Sequence, residues 1–254
     1  MVASANCGHW SLLSADKPDA RCYRLGAVLI NRRTFLFAAS ASTLAACTSR
    51  TRLAGGADAA PAGNSNSKPN PDPKKLPASI AMVGDSITAR SQTALQRVLT
   101  QVGFSSITIN AEPSRRIEAG TKKPTPGIEL IKFIAASDTP GMWVIALGTN
   151  DAGLYANDSD YQSLIDKALK LIADKTPLVW MNAYRHDQLK GCEQFNSVLR
   201  NTLKRRGNAT VGEWYQQCTD TKEAILTNDG VHPNDAGILV FADTIRAAIA
   251  TRLT

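Results

Sequence analysis

Three short stretches of this chain place reactive side chains beside turn-forming ones. Gly84-Asp85-Ser86-Ile87-Thr88 offers a hydroxyl and Gly148-Thr149-Asn150-Asp151 a side-chain amide, while Asp229-Gly230-Val231-His232-Pro233 offers an imidazole with a carboxylate three residues before it. A serine hydroxyl becomes a useful nucleophile when an imidazole takes its proton. A carboxylate that accepts from the imidazole Nδ1–H then fixes the tautomer and stabilises the imidazolium. An amide aimed at the same point can donate to the oxyanion of an acyl-transfer reaction, a contribution of about 3–4 kcal/mol in a serine protease. Each stretch also has a plainer reading. Ser86 could simply cap a helix, and Gly148–Asp151 could be an ordinary Asn/Asp turn. The histidine count narrows the choice: of three histidines, His9 lies near the N-terminus, leaving His186 and His232 as candidate bases. His232 alone has a carboxylate at this spacing. His186 reads as a loop histidine on the rim.

These stretches are informative because of the elements around them. Short apolar runs predict strands at Ser79–Val83, Ile107–Asn110, Met142–Leu147, Leu178–Asn182 and Thr210–Trp214. Helical spacing predicts helices over Ile87–Val102, Ile128–Ala136, Tyr161–Ala173, Phe195–Lys204 and Ala236–Leu253. Met142–Leu147 is continuously apolar, as suits a strand buried on both faces. Strands alternating with helices of this length imply βαβ units around a parallel sheet, and ligands of such sheets bind at the carboxyl ends of the strands. Ser86 and Asn150 fall just beyond two of those ends. Pro233 suits a first helical position and would put His232 at the cap of the last helix.

Together the motifs resemble the SGNH, or GDSL, hydrolase family. Its first block is Gly84-Asp85-Ser86, its third Gly148-Thr149-Asn150-Asp151 and its fifth Asp229-Gly230-Val231-His232, in the family's order across residues 79–254. The resemblance implies an α/β fold: a flavodoxin-like three-layer α/β/α sandwich of five parallel strands. It implies Ser86 as nucleophile, His232 as general base and Asp229 as its orienting acid, with Asn150 and the Ser86 backbone N–H in the oxyanion hole. No CxxC or His/Cys cluster suggests a metal, and no cofactor is expected. One block departs: Ser114, in Asn110-Ala111-Glu112-Pro113-Ser114-Arg115-Arg116, stands where the family has a glycine that completes the oxyanion hole. Its N–H survives, but a non-glycine residue demands ordinary φ and ψ, so a different loop geometry is expected. Arg115 and Arg116, with Asp85, are candidates for substrate binding, the arginines for an anionic or sugar-rich substrate; both arginines also fit plain surface charge. Thr88-Ala89-Arg90 lacks the glycine that often follows the first block, which narrows or charges the pocket mouth.

The N-terminus reads as an export address. Asn31-Arg32-Arg33-Thr34-Phe35-Leu36 resembles a twin-arginine signal, and an apolar stretch too short to span a bilayer follows it. It ends in Leu44-Ala45-Ala46-Cys47, which resembles a lipoprotein lipobox with Cys47 as the lipidated residue. Residues 1–28 read as an upstream start assigned too early, 29–46 as signal peptide, 47–76 as lipidated Cys47 plus a Ser/Asn/Pro-rich linker, and 77–254 as the folded domain. Cys192 and Cys218 remain as an even pair in an oxidising compartment, where a disulfide is expected. The formal charge is +7, but five basic and two acidic residues precede Cys47, and the remainder carries +4 without a long basic run. Nucleic acid is therefore not an expected partner.

The function expected from the sequence is a serine-dependent hydrolase of acyl or acetyl esters in the cell envelope. Its substrate is an ester-bearing glycan or lipid, its only membrane contact is the N-terminal lipid, and it works as a monomer. The alternative is an O-acyltransferase, in which a glycan hydroxyl rather than water resolves the acyl-enzyme. A non-catalytic glycan-binding lipoprotein is a third reading, and the intact Ser86, Asn150, Asp229 and His232 argue against it.

Overall fold

The computed structural model describes residues 71–118 and 124–254. The expected signal peptide, Cys47 and the linker up to residue 70 lie outside the described residues. Five strands, β1 (Ser79–Gly84), β2 (Ser106–Ala111), β3 (Met142–Ala146), β4 (Leu178–Met181) and β5 (Ala209–Gly212), pair in parallel in the order β2-β1-β3-β4-β5. This is the flavodoxin-like strand order. The helices are α1 (Ser86–Val102), α2 (Gly127–Ser137), α3 (Asp158–Leu169), α4 (Leu189–Arg206), α5 (Trp214–Ile225) and α6 (Asp235–Leu253).

Successive side chains of a strand point to opposite faces, so each central strand supplies two cores. Ile80 and Met82 of β1, Met142 and Val144 of β3, and Val179 and Met181 of β4 pack with α1, α5 and α6. Ala81, Val83, Trp143, Ile145, Leu178 and Trp180 pack with α2, α3 and α4. The result is the three-layer α/β/α sandwich. Burial on both faces explains why β3 reads as a solid apolar run. The edge strand β2 instead alternates exposed and half-buried residues.

The predicted strands and helices all occur, most with small shifts at their ends, but α4 starts well ahead of the expected Phe195, at Leu189. Two features differ. The fifth strand stops at Gly212, and the unanticipated α5 begins at Trp214. Among the described residues of α5, Trp214, Cys218 and Ile225 are deeply buried, too sparse a stripe to mark a helix in the sequence. Trp214 holds the helix down by an edge-on contact with Phe241 of α6, ring centroids 5.1 Å apart. At the N-terminal side, Leu76 packs against the first core and the Lys75 ammonium donates to the Thr254 carbonyl. The packed region therefore begins upstream of residue 77.

The expected disulfide is corrected. Cys192 and Cys218 are free thiols, each fully buried. Cys192 of α4 packs in one core and Cys218 of α5 in the other. Burial pushes the Cys192 thiol up to about 12 and the Cys218 thiol higher still, which keeps both protonated and inert. A reductant should therefore leave the melting temperature unchanged, and both thiols should react with Ellman's reagent only after unfolding. A drop in melting temperature on reduction, traced by mass spectrometry to a Cys192–Cys218 linkage, would contradict this.

Candidate active site

Ser86 is set at the carboxyl end of β1 by close packing. A Cβ on Gly84 would stand 2.0 Å from Thr88 Oγ1, so glycine alone lets the first turn of α1 fold against the strand end. Asp85 caps that helix, its Oδ1 accepting from the Ile87 N–H at 3.0 Å. Ser86 is the first residue of α1 and is half-buried. Its N–H is one of the helix-start donors with no intrahelical acceptor.

The base and its carboxylate arrive together, on the loop between α5 and α6. Asp229 Oδ1 accepts from the N–H of Val231 (2.9 Å), the N–H of His232 (3.0 Å) and the Thr227 hydroxyl (2.8 Å). Its Oδ2 lies 2.7 Å from His232 Nδ1. The neck of the loop is closed by the Thr227 N–H donating to the His232 carbonyl at 2.8 Å and by a bridge between Leu226 and Pro233. The expected helix-cap position of His232 is corrected: Asn234 is the cap of α6, and Pro233 sits in the bridge instead. Partial burial pushes the Asp229 carboxyl up, but the His232 N–H and ring, then Val231 and Thr227, outweigh it and hold the carboxyl well below the usual range. An ionised carboxylate can only accept, so Nδ1 carries the ring hydrogen and Nε2 presents its lone pair. That nitrogen lies 2.9 Å from Ser86 Oγ. The three side chains thus form a continuous hydrogen-bond chain across 146 residues of sequence.

The amide of Asn150 is brought to the same edge by the turn after β3. Gly148 takes φ +127° and lies against the Phe195 ring, where any Cβ would clash at 2.4 Å. Asn150 Nδ2 donates to the Arg115 carbonyl at 3.1 Å and stands 3.4 Å from Asp85 Oδ2, a long contact. Asp151, beside it, is fully buried and accepts from the Ile117 N–H at 3.1 Å and from Arg116 Nε at 3.3 Å. It ties the turn after β3 to the loop after β2.

That second loop departs from expectation. Ser114 adopts φ +63°, alone among the described non-glycine residues in taking a positive value. The serine accepts the left-handed conformation that suits glycine, at a cost of about 1–2 kcal/mol, so the loop keeps the glycine-like path. No acceptor among the described residues takes the Ser114 N–H.

The substrate-binding expectations for Arg115 and Asp85 are corrected as well. The Arg115 guanidinium is buried and engaged with backbone and side-chain oxygens, and the Asp85 carboxyl is buried beneath the site. Only Arg116 stays at the surface. Its Nη2 meets Tyr155 Oη at 2.9 Å, and the guanidinium stands 5.9 Å from that ring's centroid. His186, exposed, donates its backbone N–H to the Gly230 carbonyl at 3.1 Å and packs its Cβ against Gly230. The sequence offered no role for Asp151, Thr227 or Tyr155. An acid adjoining the Gly148-Thr149-Asn150 turn and a hydroxyl two residues before Asp229 were visible signals, but only the fold supplies their partners.

No protein-family model matches the chain, and no curated protein matches it in sequence. Solved structures do. The C-terminal catalytic domain of Streptococcus pneumoniae peptidoglycan O-acetyltransferase A is 23% identical, with TM-score 0.57 over 70% of this chain and 95% of that one. A lipase/acylhydrolase from Enterococcus faecalis is 19% identical, with TM-score 0.58 over 69% and 96%. A Clostridium thermocellum family 3 carbohydrate esterase is 19% identical, with TM-score 0.51 over 67% and 98%. The fold is the one shared by SGNH and GDSL hydrolases and esterases.

Two buried carboxyls underlie the site. Burial pushes Asp85 up to about 7, against the Ile87 N–H that favours its ionised form, and the Asp151 charge adds to the rise. Burial likewise pushes Asp151 up to about 6, opposed by the Ile117 N–H and Arg116. Raised folded-state values mean the folded chain holds protons that the unfolded chain has released. Their stabilising contribution is full below about pH 4 and is lost as pH climbs through 6 to 7. Asp85→Asn keeps a capping oxygen but removes the titration. Its melting temperature relative to wild type should rise between pH 4 and pH 8, and a pH-independent difference would contradict the assignment.

Proposed function

We propose that the chain is a serine-dependent acyl-ester hydrolase, with Ser86 as nucleophile, His232 as general base and Asp229 as its orienting carboxylate. The observation that carries this reading is the Ser86 Oγ–His232 Nε2 distance of 2.9 Å, combined with an Asp229 carboxylate that fixes the tautomer. Ser86 Oγ attacks the ester carbonyl carbon as its proton passes to Nε2. The tetrahedral oxyanion takes hydrogen bonds from the N–H groups of Ser86 and Ser114 and from Asn150 Nδ2. Of the two amide hydrogens on Asn150, the one in the 3.4 Å contact to Asp85 is the more readily redirected to that oxyanion. Collapse expels the alcohol, which leaves with the proton from Nε2, and an acyl-serine remains. Water, deprotonated by His232, then releases the acid.

The site is shallow. His232 keeps 33% and Asp229 50% of its side chain exposed. Such an open site suits a short acyl group on a bulky alcohol, such as an O-acetylated glycan, with Arg116 as a half-buried cation at its edge. A glycan hydroxyl replacing water in the second step would make the chain an O-acyltransferase. Similarity to the peptidoglycan O-acetyltransferase domain favours keeping this second reading. The twin-arginine and lipobox-like segments support action outside the cytoplasmic membrane, tethered through a lipid on Cys47.

Ser86→Ala and His232→Ala should each abolish turnover of p-nitrophenyl acetate while leaving the circular dichroism spectrum unchanged. Asn150→Ala should lower the rate by roughly 100-fold or more, as loss of an oxyanion donor does. A fluorophosphonate probe should label wild type and spare Ser86→Ala; equal labelling of both would remove Ser86 from the chemistry. Product formation that accelerates only with a glycan acceptor present would favour transfer over hydrolysis.

A further inference from the structure

We infer that Arg115 is a positioning residue of this site, its buried side chain fastening the nucleophile turn to the Ser114 loop while its own carbonyl aims the Asn150 amide. The inference rests on the acyl-transfer reading above and adds to it the part that sets the donors in place. A guanidinium has five N–H donors in a rigid fork and stays charged in a protein. All five are used here. Nη1 donates to the Gly84 carbonyl at 2.8 Å and the Asn110 carbonyl at 2.9 Å; Nη2 to Asn110 Oδ1 at 3.0 Å and Glu112 Oε2 at 3.2 Å; Nε to the Thr125 carbonyl at 3.0 Å. These acceptors belong to the end of β1 two residues before Ser86, the end of β2, and the segment leading into α2.

Burying a charge in this way is costly unless every donor is met, and such a fork leaves little freedom for the elements it joins. The main chain of the same residue completes the arrangement. Ser114, held at φ +63°, immediately precedes Arg115, and the Arg115 carbonyl accepts from Asn150 Nδ2 at 3.1 Å. One residue therefore fixes where the Ser114 N–H and the Asn150 amide stand relative to the Ser86 hydroxyl. Arg115 touches no reacting atom. Its effect is on placement, and a misplacement of about 1 Å can cost roughly 100-fold in rate. Lysine cannot replace it, because a single ammonium with three donors cannot span three separate elements.

The test compares wild type, Arg115→Lys and Asn110→Ala below their melting temperatures. Readouts are p-nitrophenyl acetate kinetics and the inhibition constant of a trifluoromethyl ketone, whose adduct with serine places an oxyanion among the same donors. Arg115→Lys should lower kcat by roughly 30- to 100-fold with KM changed less than about 2-fold, and weaken ketone inhibition in parallel. Asn110→Ala removes an exposed acceptor without opening a buried gap, so it remains informative should Arg115→Lys fail to fold. It should lower kcat and ketone affinity together by roughly 3- to 10-fold. Variants that lose only melting temperature, with kcat and ketone affinity intact, would overturn the inference while leaving Ser86 chemistry standing. A wild-type chain that neither hydrolyses the ester nor binds the ketone would overturn both.

Discussion

The structure turns on one hydrogen bond between parts of the chain that are far apart in sequence. Ser86 Oγ and His232 Nε2 meet at 2.9 Å although 146 residues separate them. Their meeting requires β1 to lie centrally in the sheet, with β3 beside it, and requires the loop before α6 to return over the carboxyl edge. The parallel order β2-β1-β3-β4-β5 meets the first condition, because every strand then ends on the same side. The packing of α6 against α1 and the strands meets the second, with Phe241, Ile245 and Ile249 buried in the shared core.

Two kinds of constraint hold the edge in shape. Close approach is one: Gly84 against Thr88 and Gly148 against Phe195 leave no room for a side chain. The other is the set of buried charged or titratable groups, Asp85, Arg115 and Asp151, which lie between the loops in place of an apolar filling. Asp151 binds the turn after β3 to the loop after β2, and Arg115 binds that loop to the end of β1. The region beneath the site is therefore a polar lattice, whereas the two cores farther down the strands are apolar. A lattice of directional bonds fixes orientation more narrowly than apolar contact, at the expense of desolvating charge.

Much of this was legible in the sequence because the signals were local. Continuous apolar runs marked β1, β3 and β4, and the residues following β1 and β3 marked the functional edge. The pairing of His232 with Asp229 rested on a three-residue spacing, and the loop delivers it. What could not be read depended on partners distant in the chain. Arg115 and Arg116 are neighbours of the same type in the sequence, yet one is buried with five acceptors and the other lies on Tyr155. Nothing in the local pattern separates them. Ser114 was expected to refuse a left-handed backbone. It adopts one, in a loop tied on either side by the Glu112 N–H to the Gly84 carbonyl and by the Arg115 side chain. α5 was missed because its buried stripe is thin, and Cys192 and Cys218 were paired by count alone, without knowledge of which core each occupies.

The loop carrying Asp229 and His232 has a consequence of its own. Acid and imidazole share a short segment closed at its neck by the Thr227–His232 bond and the Leu226–Pro233 bridge, and every internal bond of the pair is made within that segment. The pair behaves as a preassembled cassette with the hydroxyl supplied from elsewhere. A shift of the cassette would carry both groups away from Ser86 together while leaving their mutual geometry intact. Motion there would switch the proton path on or off as a unit instead of degrading it by steps.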